Sequence, residues 1–166
     1  VFELIKQEGY EKVLYLGISS GLSGTYGFVK TLGEEYFGGN FYSFDTKILS
    51  SGEGLLVQKA AEMLSSGVNI QSILECLQII RAKMFSSFIV KDITYLVKGG
   101  RIGKVAGTLG SFLKICPIIR VNDDGVYETA GKSIGFSRAL QLMLRQVQEK
   151  FAGLKVAVEV VHGFEE

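Results

Sequence analysis

Residues 13–26, VLYLGISSGLSGTY, carry the local signals from which the rest of the fold is predicted. Their first six residues form a short apolar run of β-forming side chains, which is typical of a buried parallel strand. Three serines, two glycines and a threonine follow, and residues 25–35 then have the pattern of a helix. The first N–H groups of a helix lack intrahelical partners and lie at the positive end of its dipole. This stretch therefore predicts a strand, a turn and a helix start at which a phosphate or carboxylate could bind.

Elements predicted outward from this stretch give the chain an α/β order. They are a helix at 2–9, a strand at 41–44, helices at 52–67 and 70–84, a strand at 85–90, a short helix at 92–96, strands at 115–121 and 126–129 around a hairpin turn, a helix at 134–151 and a strand at 155–161. Asn69 is the predicted N-cap of one helix, and Pro117 suits an edge or the start of a strand. The order predicts two lobes, a parallel α/β lobe at 1–84 and an α+β lobe with a mixed sheet at 85–166.

Composition excludes several classes of function. A formal charge of +1, from 18 basic and 17 acidic residues, argues against nucleic acid or an anionic membrane as a partner. Two cysteines, Cys76 and Cys116, form no C-x-x-C motif, so neither a metal site nor a cofactor is predicted. No stretch approaches the roughly 20 apolar residues that span a bilayer, and we expect a cytoplasmic protein. Because the chain starts without a methionine, we also expect it to be a piece of a longer protein.

The turn at residues 18–25, called here the hydroxyl turn, allows two interpretations. A helix N-cap needs a single side-chain acceptor, and glycines ease such a turn without any ligand. Four hydroxyl groups and two glycines exceed that requirement, because glycine lets a ligand approach the backbone closely. The hydroxyl groups belong to Ser19, Ser20, Ser23 and Thr25. We therefore favour oxyanion binding over a cap alone.

An alternative is a serine hydrolase, because residues 17–21 match G-x-S-x-G after a predicted strand. Ser19 would be the nucleophile, Asp123 or Asp124 the acid and His162 the base, in the chain order of the α/β-hydrolases. A nucleophile elbow, however, leads directly into its helix, whereas further turn residues follow Ser19 here. The acid candidates also lie in a predicted turn.

A second glycine-rich stretch, GGRIG at residues 99–103, is called here the arginine turn. Arg101 lies between its glycines, with Lys98 and Lys104 beside it, and a guanidinium fork suits carboxylate or phosphate. The stretch fits equally well a glycine-rich helix end with solvated charges. It also matches the GXXG loop of a KH module, which the near-zero net charge makes improbable.

Four stretches taken together, ISSGLSGTY, FDTKILSSGEGLLVQKAAEML, VKDITYLVKGGRIG and KICPIIRVNDDGVY, strongly resemble the fatty-acid-binding DegV family. The resemblance covers essentially the whole chain in colinear order. It implies two α/β lobes that enclose one long-chain fatty acid, as in the acyl-carrying subunit of a bacterial fatty acid kinase. A separate ATP-dependent partner would phosphorylate the bound carboxylate, and the acyl phosphate would enter phospholipid synthesis. The implied protein is a carrier and not an enzyme, and a protein-interaction module without a ligand is the remaining rival.

The resemblance also implies roles for single residues. The fatty-acid carboxylate would be held at the hydroxyl turn, with Ser23 first, Ser20 next, and then Gly24, Thr25 and Ser19. Arg101 matches an arginine near the lobe junction that works with the kinase, and Lys132, followed by Arg138, offers a second basic contact. Lysine cannot reproduce a bidentate arginine contact there. The family's N-terminal Thr-Ser turn and its later histidine turn are not matched, and His162 corresponds to an earlier strand end.

Overall fold

Two parallel strands, β1 (Val13–Gly17) and β2 (Phe41–Asp45), form the sheet of the first of two compact units, Val1–Met84 and Phe85–Glu166. The computed structural model describes residues 1–103, 105 and 115–163, and Lys104 of the predicted basic cluster lies outside them. The helices of the first unit are α1 (Phe2–Gln7), α2 (Thr25–Phe37), α3 (Ser51–Ser65) and α4 (Ile70–Lys83). The predicted strand, turn and helix at residues 13–36 are confirmed.

Strand pairing brings two loops of the first unit together. Val13 pairs with Phe41 and Gly17 with Asp45, so both strands end at the same edge of the sheet. The hydroxyl turn leaves β1 at this edge, and the loop at residues 46–50, called here the brace loop, leaves β2 beside it. Ligand sites in open parallel sheets lie outside the carboxyl ends of the strands.

The core of the first unit lies between the sheet and the paired helices α3 and α4. Its buried members are Ile48, Leu56, Ala60, Ile73 and Leu77. Helix α2 packs closely on β2, because a Cβ on Gly33 would lie 2.2 Å from the Phe41 ring. The predicted cap of α4 is confirmed, since Asn69 Oδ1 accepts a 3.0 Å hydrogen bond from the Ser72 amide.

The second unit contains an antiparallel sheet in the order β3 (Ser87–Ile89), β4 (Ile115–Val121) and β5 (Tyr127–Ile134). Its helices are α5 (Thr94–Lys98) and α6 (Phe136–Lys150). The predicted hairpin is confirmed: the Asn122 amide donates to the Val126 carbonyl at 3.0 Å, and Gly125 has a φ of +80°. Cys116, Ile118 and Ala139 form one buried cluster in the core of this unit. The α/β class is confirmed.

Three details of the second unit differ from prediction. The strand predicted at residues 155–161 is wrong, because this exposed segment pairs with no described strand, and β-propensity alone cannot replace a hydrogen-bonded neighbour. Strand β5 continues to Ile134, so α6 begins later than predicted. Pro117 lies inside the central strand; β3 pairs only with residues 118–120, so no β3 residue pairs with it.

Candidate functional site

The hydroxyl turn is held in place by the brace loop. The Ser19 amide donates to the Ile48 carbonyl at 2.9 Å, and the Thr46 hydroxyl donates to the Gly17 carbonyl at 2.8 Å. Both Ser19 and Thr46 are fully buried. Buried polar groups with satisfied hydrogen bonds favour a single arrangement of the chain. The conformation of the hydroxyl turn therefore depends on residues more than 20 positions away.

Ser19 itself supports the turn from inside. Its Oγ accepts the Gly21 amide at 3.2 Å, and its carbonyl accepts the amides of Leu22 and Ser23 at 3.0 and 3.1 Å. Full burial gives Ser19 a structural role, although it is a predicted carboxylate contact. The same burial disfavours Ser19 as a nucleophile, and α2 begins only at Thr25, six residues further along. Both features are unlike a nucleophile elbow.

Ser23, which is half-buried, and Thr25, which is exposed, hydrogen-bond to each other at the end of the turn. Their hydroxyl oxygens lie 2.9 Å apart, and Ser23 Oγ also accepts the Thr25 amide at 3.2 Å. One of the two hydroxyls donates to the other, so one hydroxyl proton remains for a ligand. Gly24, the N-cap residue of α2, is exposed, and a Cβ there would meet no atom of the described residues within 4 Å.

Backbone donors at the start of α2 add to these hydroxyl groups. Among the residues that the structure describes, no hydrogen bond is formed by the amides of Tyr26 and Gly27. Helix α2 has 13 residues, and its dipole places partial positive charge at this end. Uncharged donors and a helix N-terminus together form an arrangement that suits an oxyanion.

Ser20 belongs to a polar cluster with Asp45 and Lys47. Its amide donates to Asp45 Oδ1 at 3.1 Å, and its Oγ accepts from Lys47 Nζ at 3.0 Å. Lys47 Nζ also lies 3.1 Å from Asp45 Oδ2, and the Lys47 amide donates to Asp45 Oδ1 at 3.1 Å. Burial raises the pKa of Asp45, but hydrogen bonds from Ser20 and Lys47 outweigh it and hold the pKa below its ordinary value. Asp45 is therefore an anionic anchor for both loops.

Arg81 of α4 holds the brace loop from the other side. Its Nε donates to the Thr46 carbonyl and its Nη2 to the Lys47 carbonyl, each at 2.8 Å. Two non-glycine residues of the loop have positive φ, Lys47 at +51° and Ser50 at +57°. Such conformations cost energy and persist where neighbouring contacts determine them. Sequence reasoning missed Lys47 and Arg81; the lysine two positions after a strand-end aspartate was the available signal.

The arginine turn is the C-terminal cap of α5. The Arg101 amide donates to the Leu96 carbonyl and the Gly100 amide to the Val97 carbonyl, both at 3.0 Å, while Gly100 has a φ of +70°. This hydrogen-bond pair defines a Schellman motif. A Cβ on Gly103, whose φ is +50°, would lie 3.0 Å from the Tyr127 carbonyl oxygen. The helix-end interpretation thus explains Gly100, and the close approach to Tyr127 explains Gly103.

The other predicted residues of the second unit are exposed. Arg101 donates to the Gly99 carbonyl through Nη1. Its charge also acts on Tyr127: burial raises the pKa of Tyr127, and the Arg101 charge offsets part of that effect. Lys132 is exposed on β5, and so is Arg138 on α6. The hydrolase candidates Asp123, Asp124 and His162 are exposed, the first two in the hairpin turn.

The described residues form neither a cluster of metal-ligating side chains nor a membrane-spanning helix. Residues 1–103, 105 and 115–163 contain no group of three or more His, Cys, Asp or Glu side chains that could hold a metal ion. None of the helices described is long and apolar enough to cross a membrane.

Comparison with known proteins places the chain among relatives of one kind. The model of a family described as "Uncharacterised protein, DegV family" matches residues 1–166. A DegV domain-containing protein of Clostridium acetobutylicum is 36% identical over 163 residues, which are 98% of this chain and 58% of the relative. The chain thus spans less than two thirds of that protein's length.

Solved structures with this fold include lipid-binding proteins. A fatty-acid-binding DegV family protein from Thermus thermophilus is 29% identical with a TM-score of 0.80, over 92% of this chain and 54% of that one. A DegV lipid-binding protein from Thermotoga maritima is 31% identical with a TM-score of 0.77, over 91% of this chain and 52% of that one. The matched part is about half of each solved chain.

Proposed function

Because this chain belongs to the DegV family, we propose that it binds a long-chain fatty acid whose carboxylate lies at the hydroxyl turn. The observation that carries the proposal is the braced cluster of uncharged donors at the start of α2, in a fold shared with fatty-acid-binding relatives. The donors are the free hydroxyl proton of the Ser23 and Thr25 pair and the Tyr26 and Gly27 amides. Ser20 adds a further hydroxyl group, and Gly24 leaves space for the ligand.

The second part of the proposal is that the chain is a carrier which presents this carboxylate to a separate ATP-dependent kinase. Acyl phosphate forms when a carboxylate oxygen attacks the γ-phosphorus of ATP and ADP leaves, so the oxygen must stay nucleophilic. Uncharged donors orient a carboxylate without neutralising it, whereas a closely paired cation would weaken it as a nucleophile. Arg101 and Lys132, both exposed, are the proposed contacts to the kinase or to the transferred phosphate.

Replacing Ser23 by alanine in the full-length protein tests the carboxylate site. Losing a hydrogen bond to a charged group costs about 1.5–3 kcal/mol, so we expect roughly 10-fold or greater loss of oleic acid affinity. Displacement of a fluorescent fatty acid measures it, and acyl phosphate formation with kinase and ATP measures presentation. Ser65→Ala is the matched control, because that exposed hydroxyl donates to the Glu62 carbonyl of its own helix. Unchanged affinity and phosphorylation in Ser23→Ala would contradict the proposal.

Two further measurements separate the rivals. Mass spectrometry of lipid extracted from the purified full-length protein should reveal a bound fatty acid, whereas an interaction module without a ligand would yield none. A fluorophosphonate probe should leave Ser19 unlabelled, because that side chain is buried. Covalent labelling of Ser19 would favour the hydrolase instead.

A further inference from the structure

Resting on the proposed function, we propose that Lys47, anchored by Asp45, is a positioning residue that directs and polarises the Ser20 hydroxyl toward the bound carboxylate. Lys47 lies on the brace loop, outside the hydroxyl turn, and reaches Ser20 across the edge of the sheet.

The direction follows from the chemistry of the ammonium group. Lys47 Nζ has three donors and no acceptor, so in its 3.0 Å bond to Ser20 the serine oxygen accepts. The Ser20 proton then points away from the ammonium. A hydroxyl that accepts from a cation is a stronger donor in turn, because successive hydrogen bonds polarise one another. Lys47 thus makes Ser20 a better donor to an anion than it would be alone.

Asp45 offsets the positive charge of Lys47, so the ligand carboxylate stays nucleophilic. Its Oδ1 already accepts the amides of Ser20 and Lys47, and its Oδ2 lies 3.1 Å from the Lys47 ammonium. The Ser20 side chain also lowers the pKa of Asp45 through a hydrogen bond, but with three other donors supplied Asp45 can release that proton to a ligand. The Asp45–Lys47 pair carries no net charge, so it polarises the hydroxyl without neutralising the fatty-acid carboxylate.

The backbone of Lys47 is fixed by its conformation and by a hydrogen bond. Its φ of +51° is unusual for a lysine, and its carbonyl is fixed by Arg81 at 2.8 Å. Strained residues of this kind concentrate at functional sites. The side chain is 39% exposed, so water screens its charge in part, and the expected effect on binding is moderate.

The experiment compares oleic acid with oleyl alcohol in the full-length protein, because only the acid presents a carboxylate. Lys47→Met keeps side-chain length and removes the charge and the donor. We expect about three- to tenfold weaker binding of oleic acid and unchanged binding of oleyl alcohol. Lys47→Arg should restore most of the preference for the acid. Lys59→Met removes a comparably exposed lysine of α3 and should change neither affinity.

A double-mutant cycle with Ser20→Ala identifies the group through which Lys47 acts. If Lys47 works through Ser20, Lys47→Met should cause no further loss once the hydroxyl is gone. Independent losses of oleic acid affinity in the two single variants would overturn the inference. A Lys47→Met variant that keeps the preference for the acid, or that loses affinity for the acid and the alcohol equally, would overturn it too. Should Lys47→Met fail to fold, Lys47→Gln replaces it. The affinities for oleic acid and oleyl alcohol are then compared in the same way. A wild-type protein without preference for the acid would instead contradict the proposed function.

Discussion

The hydroxyl turn and the arginine turn are both short and rich in glycine, yet they are stabilised in different ways. The hydroxyl turn depends on bonds from a distant loop, including the Thr46 hydroxyl, which donates to the Gly17 carbonyl 29 positions away. The arginine turn is closed by its own helix, through the Schellman bonds to Leu96 and Val97. Glycine content alone therefore does not show how a turn is held. Distant bonds brace the hydroxyl turn, and bonds within its own helix end close the arginine turn.

Thr46→Val should break the hydroxyl turn most strongly. Valine has nearly the same shape but lacks the buried hydroxyl, whose one proton is shared between the Gly17 and Ile48 carbonyls and whose oxygen accepts the Ile48 amide. We expect the free energy of unfolding to fall by about 2 kcal/mol, as measured by urea denaturation. The control is Thr31→Val, where an exposed hydroxyl bonds to the Gly27 carbonyl and loss should stay below about 0.5 kcal/mol. Equal losses would show that the brace loop does not hold the turn.

A pair of alanine substitutions tests the arginine turn. Gly103→Ala places an alanine in a left-handed conformation, with its Cβ 3.0 Å from the Tyr127 carbonyl oxygen. We therefore expect the free energy of unfolding to fall by about 1.5 kcal/mol. Gly100→Ala meets open space and should cost about 1 kcal/mol from conformation alone. Urea denaturation of both variants measures the difference. A larger loss for Gly100→Ala would mean that the Schellman cap, and not the approach to β5, dominates.

Asp45→Asn should weaken the hydroxyl turn in a way that depends on pH. At neutral pH we expect a loss of about 1 kcal/mol, because the ion pair with Lys47 and the charge-assisted bonds disappear. The pKa of Asp45 lies below its ordinary 3.8, so its contribution is complete above that value and is lost as pH falls through the folded-state pKa.

The gap between the wild type and Asp45→Asn should therefore close as the pH is lowered below about 4. Burial raises the pKa of Glu53, an effect of the opposite sign, but it is common to both proteins and cancels in the comparison. Thermal unfolding across this pH range measures the gap. A gap independent of pH would show that Asp45 acts without its charge.

Ser50→Gly should strengthen the brace loop slightly. Ser50 is exposed, has a φ of +57°, and its side chain makes no capping bond to α3. Glycine adopts this backbone without strain but loses more entropy on folding, so we expect a net gain of about 0.5 kcal/mol, seen as a higher Tm. Lower stability would indicate that the Ser50 conformation is not strained.

Local signals in the sequence predicted much of the fold. The apolar run before residue 18, the cap at Asn69 and the hairpin turn before Val126 each depend on neighbours within a few positions, and each is confirmed. The prediction of a strand at residues 155–161 is wrong, because a strand needs a hydrogen-bonded neighbour, which β-propensity does not reveal. The assignment of Ser23 and Ser20 to a carboxylate remains a prediction.

Contacts of the candidate site between residues distant in the sequence could not be predicted. Lys47 reaches Ser20 from 27 positions away, and Arg81 reaches the Lys47 carbonyl from 34 positions away. No periodicity or motif spacing encodes such contacts, because they depend on how the strands pair. The burial of Ser19 was missed for the same reason, since adjacent serines look alike until the brace loop covers one of them.

The two sheets also imply an order of refolding. In the β4–β5 hairpin, Val121 and Tyr127 pair across only six positions, whereas β1 and β2 pair residues 28 positions apart, such as Val13 and Phe41. Local pairing closes a small loop quickly, and parallel pairing must wait for the crossover through α2. The hydroxyl turn, which both β1 and the brace loop must hold, should thus acquire protection from hydrogen exchange after the hairpin has formed.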